Sequence, residues 1–237
     1  MNMSRRSFLK AGTAAAAAMA MTPGEILAKK AKKDPKGMTG KLKILGVGIG
    51  GRGHSVLNGC CKNGDKLYDD VEVIGLADVD WNYAKGVLDE YKGYYPNCKL
   101  YHDYKTMFAE LLDQADAVIC ATADHTHAIV CAEALAAGKH VYCEKPLTRT
   151  VYESRLLTKL AAKANVATQM GNKGASREGL RIACEWLWNG EIGEVTRVDA
   201  FTDRPIWPQG LERPKETPRV PDTLNWDAFI GPAPKRP

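Results

Sequence analysis

Leu42-Lys43-Ile44-Leu45-Gly46-Val47-Gly48-Ile49-Gly50-Gly51 is the stretch that decides the fold. An apolar run leads directly into a glycine-rich turn, and a helical pattern follows, so the segment reads as strand, turn, helix. Gly46 allows the tight turn, Gly48 lets the backbone approach a pyrophosphate, and Gly51 is expected to bring helix against strand. Amides at the start of that helix favour a phosphate's negative charge, with Ile49 and Arg52 on either side of Gly50-Gly51. A second apolar run, Val71-Glu72-Val73-Ile74-Gly75-Leu76-Ala77, closes on Asp78. A carboxylate at that point can accept both ribose hydroxyls of an adenosine, which completes a dinucleotide-binding fingerprint. Residues 62–70 read as a loop that lengthens the spacing between the two runs.

Working outward, strands and helices alternate from residue 41. Strands are expected at 41–47, 71–78, 116–121, 140–143 and 166–170. Helices are expected at 51–63, 81–91, 104–112 and 126–137, the last ended by Gly138. Thr150-Val151-Tyr152-Glu153 has capping-box spacing, and Leu156, Leu157, Leu160 and Ala164 line one face of the helix after it. This order predicts an α/β, doubly wound parallel sheet over residues 41–170. After Gly171 a helix at 176–189 and a strand at 195–202 follow, and then the pattern fades. Eight of the twelve prolines lie from residue 204 onward, with no periodic element among them. Residues 171–237 therefore read as the start of a second α/β domain that is cut short.

The N-terminus is a separate region. Eight of the 33 Lys/Arg and two of the 28 Asp/Glu lie in residues 1–40, so the remainder carries 25 basic against 26 acidic residues. The net charge of +5 thus belongs to the leader, and nothing beyond it suggests a nucleic-acid surface. Ser4-Arg5-Arg6-Ser7-Phe8-Leu9-Lys10 ahead of the Ala-rich stretch to Ala20 is a twin-arginine export pattern. Ala18-Met19-Ala20 or Ala28 offers a cleavage point, and residues 29–36 read as a linker. The expected destination is the periplasm, with the export machinery as a partner. No run of about 18 apolar residues appears after the leader, so no membrane span is expected in the mature chain.

The chemistry is expected where strands end. In a doubly wound sheet, ligands lie beyond the carboxyl ends of the strands. Glu144-Lys145-Pro146 follows the strand at 140–143, so Lys145 would reach the reactive end of a bound dinucleotide. There it can hold a substrate hydroxyl or carbonyl and shuttle its proton, provided its pKa is lowered. Thr122-Ala123-Asp124-His125-Thr126-His127 opens a helix at the same edge. Thr122 meets the cofactor in this reading, while His127 is either a site residue or a packed helix cap. His54 is read as a helix residue beside the phosphate turn. His125 and His127 lack the third histidine or carboxylate that a metal centre needs, so no metal site is expected. The seven cysteines show no paired spacing and are expected to be mostly buried and reduced.

Taken together, Gly46, Gly48, Gly51, His54, Asp78, the His127 segment, Ala137-Gly138-Lys139-His140-Val141 and Glu144-Lys145-Pro146 closely resemble the Gfo/Idh/MocA oxidoreductases. Met170-Gly171-Asn172 and Gly190-Glu191-Ile192-Gly193-Glu194-Val195 resemble them too. The resemblance implies an N-terminal Rossmann domain and a C-terminal mixed-sheet domain that takes sugars, inositols or other polyols. It implies Lys145 as catalytic lysine, and Gly46, Gly48, Ile49, Gly51, Arg52, Asp78, Thr122, His127, Glu144 and Lys145 as cofactor contacts. Asn172, with Lys145, falls where substrate and nicotinamide meet. Members carry a further histidine in the second domain, which this chain does not reach, so it is expected to be a fragment of a protein that forms homo-oligomers when complete. Asp78 followed by Val79 favours NAD, while Arg52 leaves NADP open. The leading expectation is hydride transfer between a retained cofactor and a sugar or polyol. The alternatives are an NAD-dependent glycoside hydrolase or epimerase, and a non-catalytic nucleotide-binding module.

Overall fold

Alternation along the first strand builds a sheet buried on both faces. A computed structural model describes residues 40–203, 208, 210–212 and 214–235; the expected export signal and linker lie outside the described residues. In chain order the elements are β1 (Leu42–Val47), α1 (Arg52–Cys61), β2 (Lys62–Asn63), β3 (Lys66–Leu67), β4 (Val71–Ala77), α2 (Trp81–Tyr94) and β5 (Lys99–Tyr101). They continue with α3 (Tyr104–Leu111), β6 (Ala117–Cys120), α4 (His127–Ala136), β7 (His140–Glu144), α5 (Val151–Ala164), β8 (Thr168–Gly171), α6 (Glu178–Trp188) and α7 (Trp226–Ile230).

Six strands form one parallel sheet in the order β5-β4-β1-β6-β7-β8. The chain runs outward from β1 in one direction, then returns and continues from β1 in the other. That reversal opens a crevice at the carboxyl ends of β1, β4 and β6. Ile44 and Leu45 are neighbours on β1, yet they serve opposite faces. Ile44 packs with Val56, Leu57, Leu88 and Tyr91 beneath α1 and α2. Leu45 packs with Met107, Leu111, Val118 and Val130 beneath α3 and α4. Strands covered on both faces carry near-continuous apolar runs, which is why they were legible.

The caps follow local chemistry. The Thr150 side chain accepts from Glu153 N, and Glu153 reaches back to Thr150 N at 2.8 Å, closing the expected capping box of α5. Asp80 caps α2 by accepting from Asn82 N and Tyr83 N, both at 3.1 Å. The expected C-cap Gly138 takes φ 71°.

The structure departs from expectation in four places. The 62–70 loop contains the β2–β3 hairpin. The three-residue edge strand β5 has too few residues to show a period. No strand forms at 195–202: β8 is the sheet edge on that flank, and no described strand lies beside it to pair the backbone groups. The proline-rich tail, expected to be without elements, forms α7 and an isolated bridge between Asp80 and Leu224. Among the described residues no helix is long and apolar enough to cross a membrane.

Burial has one electrostatic consequence in the core. Desolvation pushes the Cys61 thiol up to about 11 and the Cys98 thiol up to about 12, from an ordinary 9.0. The neutral thiol is thus favoured in the folded state. Its contribution is complete below the unfolded value near 9.0 and is lost as pH rises through 11 to 12. Urea unfolding followed against pH should show stability falling across that window, and a Cys61→Ala, Cys98→Ala double variant should fall less steeply.

Candidate functional site

The site begins where β1 turns into α1. Gly48 has φ +72°, and a Cβ there would lie 2.6 Å from the Thr122 backbone, so only glycine lets this turn cross the end of β6. Gly51 needs its own φ of +52° but packs against no strand. The close approach expected of it falls instead on buried Gly53, whose added Cβ would collide with the Gly48 carbonyl.

Asp78, at the end of β4, is buried and tied to that turn. Its Oδ2 accepts from Ile49 N at 2.9 Å and Gly50 N at 3.0 Å, while Oδ1 accepts from Asp80 N at 3.0 Å. A carboxylate has about four acceptor positions, so one is left for a ribose hydroxyl while all three amides stay bound. The amides of Gly51 and Arg52 open α1 and have no intrahelical acceptor, which leaves them for a phosphate. Sequence reading missed Tyr83, whose ring lies against Gly50 and Gly51. Its placement follows from the Asp80 cap, which begins α2 beside the turn.

A second constellation surrounds β7. The Glu144 side chain is 7% exposed, and its Oε1 accepts from Arg52 Nε at 2.9 Å and from the Tyr142 hydroxyl at 3.1 Å. The hydrogen bond to Glu144 raises the Arg52 pKa. Gly171 makes room for this carboxylate, since a Cβ there would sit 2.5 Å from Oε1. His127 is 1% exposed and spans two loops: Nδ1 lies 2.6 Å from the Pro146 carbonyl and Nε2 lies 3.0 Å from the Thr122 carbonyl. Both ring nitrogens are thus occupied by protein, and His127 sets the spacing of the site loops. His54 faces away, toward Glu90 at 2.7 Å and Asn58 at 2.9 Å.

Two cavities follow from these contacts. One of about 820 Å³ is lined by Gly48, Gly50, Asp78, Tyr83 and Thr122 on the sheet side and by residues of the 224–232 segment opposite. The other, about 710 Å³, is lined by Arg52, Thr122, His127, Glu144, Lys145 and Asn172. Both lie in the size range of ligand sites, about 300–1,000 Å³, and they share Ala121 and Thr122. Lys145 is exposed, and among the described residues its ammonium has no hydrogen-bond or ion-pair partner. Gly46 sits one step inside, against Leu76 and Ile49, and shapes the turn from below.

The cysteines hold one arrangement that spacing concealed. Cys120 and Cys143 are register partners on β6 and β7, and Cys131 of α4 meets them, with all three sulfurs within 4.8 Å of one another and buried. All seven cysteines are free thiols.

Comparison with known proteins agrees with this fold. Residues 42–172 match an oxidoreductase family with an NAD-binding Rossmann fold, and residues 2–22 match a twin-arginine translocation pathway signal sequence. Glycosyl hydrolase family 109 protein 2 of Akkermansia muciniphila is 30% identical over 227 residues, covering 83% of this chain and 46% of that protein. Inositol 2-dehydrogenase of Salmonella typhimurium is 29% identical over 162 residues, covering 68% of this chain and 45% of the relative. The scyllo-inositol dehydrogenase structure from Lactobacillus casei, with bound NAD(H) and scyllo-inositol, superimposes with a TM-score of 0.55. At 23% identity, over 66% of this chain and 43% of that one, it establishes the shared fold. The chain spans less than half the length of each of these three proteins.

The Glu144 pocket generates a sharp test. Gly171→Ala should displace the carboxylate from Arg52 and weaken NADH binding by about tenfold, ~1.4 kcal/mol. Gly174→Ala, where an added Cβ meets nothing within 4 Å, should leave it unchanged in the same fluorescence titration.

Proposed function

The chain belongs to the Gfo/Idh/MocA oxidoreductases, and we propose that it transfers hydride between a bound nicotinamide cofactor and a sugar or polyol. The observation that carries this reading is Lys145, unpartnered among the described residues and lining a cavity that meets the glycine-turn cavity at Thr122. The chain fits such a cofactor because Gly48, Gly50 and Asp78 line the first cavity, and Asp78 Oδ1, with one amide on it, keeps acceptor capacity for a ribose hydroxyl. When bound, the nicotinamide ring supplies the hydride acceptor or donor.

In this proposal Gly46, Gly48, Ile49, Gly51 and Asp78 hold the adenosine and pyrophosphate half. Arg52, Thr122, His127 and Glu144 flank the nicotinamide half, and Asn172 meets the substrate. Lys145 binds the substrate's hydroxyl or carbonyl oxygen and takes or returns its proton. Glu144, held by Arg52, fixes the loop that carries Lys145 to the start of α1. Residues 41–170 form the nucleotide half, and residues 171–237 open the substrate half.

Charge favours NAD over NADP. Asp78, Asp80, Asp103 and Asp227 line the first cavity, and Lys105 is the one lysine or arginine among its described lining residues. Arg52 lines the second cavity and not the first, with its Nε on Glu144, so it stands away from the place a 2′-phosphate would take beside Asp78. Export through the twin-arginine route delivers a folded protein to the periplasm in this reading. Free nucleotide is scarce there, so the cofactor stays bound and is regenerated within the site, by a second substrate or by a redox-neutral cycle. The family 109 relative favours a second reading on the same residues, in which transient oxidation of a sugar hydroxyl drives hydrolysis or epimerisation. Release of a leaving group from glycosides without net cofactor reduction distinguishes it.

The test is Lys145→Ala, assayed on a panel of sugars, polyols and glycosides. Turnover should fall at least about 100-fold, the usual scale of general acid–base help, with NADH affinity within about twofold of wild type. Unchanged turnover would refute the role of Lys145. NADPH should bind more weakly than NADH by about tenfold in the wild-type protein.

A further inference from the structure

The segment around residues 223–232 lines the first cavity and is pinned to the chain beyond both β4 and β6. On the β4 side, Asn225 N donates to the Val79 carbonyl at 2.8 Å and Trp81 N donates to the Thr223 carbonyl at 3.2 Å, beside the Asp80–Leu224 bridge. On the β6 side, His125 Nε2 donates to the Phe229 carbonyl at 2.7 Å, and the His125 ring meets the Phe229 ring edge to face at 5.8 Å. Gly231, with φ +53°, rests against Thr126, where a Cβ would lie 3.0 Å from the threonine methyl. Between these anchors the chain is stiffened by α7. Asn225 Oδ1 accepts from Ala228 N at 3.1 Å, and Ile230 is buried. Val79 and His125 stand just beyond β4 and β6, the two strand ends between which the first cavity opens.

We infer that residues 223–232 are a clasp over the adenosine half of the cofactor site, and that this clasp keeps the dinucleotide bound. The inference rests on the cofactor reading proposed above and adds a wall to that site which no fingerprint residue supplies. Asp78 and the glycine turn grip the nucleotide from the sheet side only. A ligand lying along them leaves by moving away from the sheet, and that is the direction the clasp closes. Leu224, Asn225 and Phe229 line the cavity from the clasp, so a nucleotide seated on Asp78 is enclosed between these residues and the sheet edge. Because the clasp reaches Thr126 and not Lys145, its hold falls on the adenosine half and leaves the reacting end open. An exported protein in surroundings poor in free nucleotide needs such retention.

The test releases the clasp at its far anchor in two independent ways in the purified full chain. His125→Ala removes the donor to Phe229, and Gly231→Val pushes the segment off Thr126. NADH dissociation, followed by stopped-flow fluorescence, should accelerate at least about tenfold in both variants. Binding of nicotinamide mononucleotide, which lacks the adenosine half, should stay within about twofold of wild type. Dissociation unchanged in either correctly folded variant, judged by circular dichroism, overturns the clasp while leaving the cofactor reading intact. Wild-type protein that binds no NADH overturns the cofactor reading and the clasp with it. If one substitution prevents folding, the other decides.

Discussion

Three backbone N–H groups converge on the Asp78 carboxylate, and the geometry of the sheet edge depends on that convergence. Ile49 and Gly50 belong to the turn after β1, and Asp80 opens α2, so one side chain joins the ends of two strands to the start of a helix. Hydrogen bonds to an ionised group contribute about 1.5–3 kcal/mol each, which is enough to fix a glycine-rich turn that has little stiffness of its own. The turn therefore has its shape before any ligand arrives. Gly48 completes the arrangement from the other side by crossing the Thr122 backbone at contact distance. The strand ends of β4, β1 and β6 are thereby fixed relative to one another.

The far end of the crevice uses a second buried carboxylate in a different way. Glu144 has no cluster of amides around it; it is balanced by the Arg52 guanidinium and the Tyr142 hydroxyl, in a space that exists because residue 171 lacks a side chain. A buried carboxylate without such partners would be costly, so these contacts hold β7, α1 and β8 to one geometry. Arg52 adjoins Gly51, so this tie reaches the glycine turn directly. His127 adds the third strut, bridging the loop after β6 to the loop that carries Lys145. Lys145 is left projecting from a frame in which its neighbours are already engaged.

Much of this was legible in the residues. The apolar runs of β1 and β4, the glycines between them, the Thr150 capping box and Gly138 at the end of α4 each state their structure within a few positions. The short edge strand β5 was not legible, because three residues carry no period. The strand expected at 195–202 failed for the opposite reason: its pattern suits a strand, but a strand needs a neighbour, and none of the described strands lies there. The close helix–turn approach was assigned to Gly51 and belongs to Gly53, since the spacing of glycines does not say which α-carbon faces inward. Tyr83, the Cys120–Cys131–Cys143 cluster and the clasp left no local signal at all.

Sequence by itself determined the alternation of strands and helices, the glycine turn, and the placing of Asp78, Thr122 and Lys145 just beyond strand ends, with Glu144 closing β7. These follow from side-chain period and backbone conformational preference, which act between near neighbours. Tertiary structure alone decided that Arg52 spends its charge on Glu144, 92 positions away, that both nitrogens of His127 are taken by carbonyls, and that Phe229 lies over His125 across 104 positions. Such contacts depend on how whole elements pack, and no short stretch of residues records which distant partner the packed sheet will bring within reach.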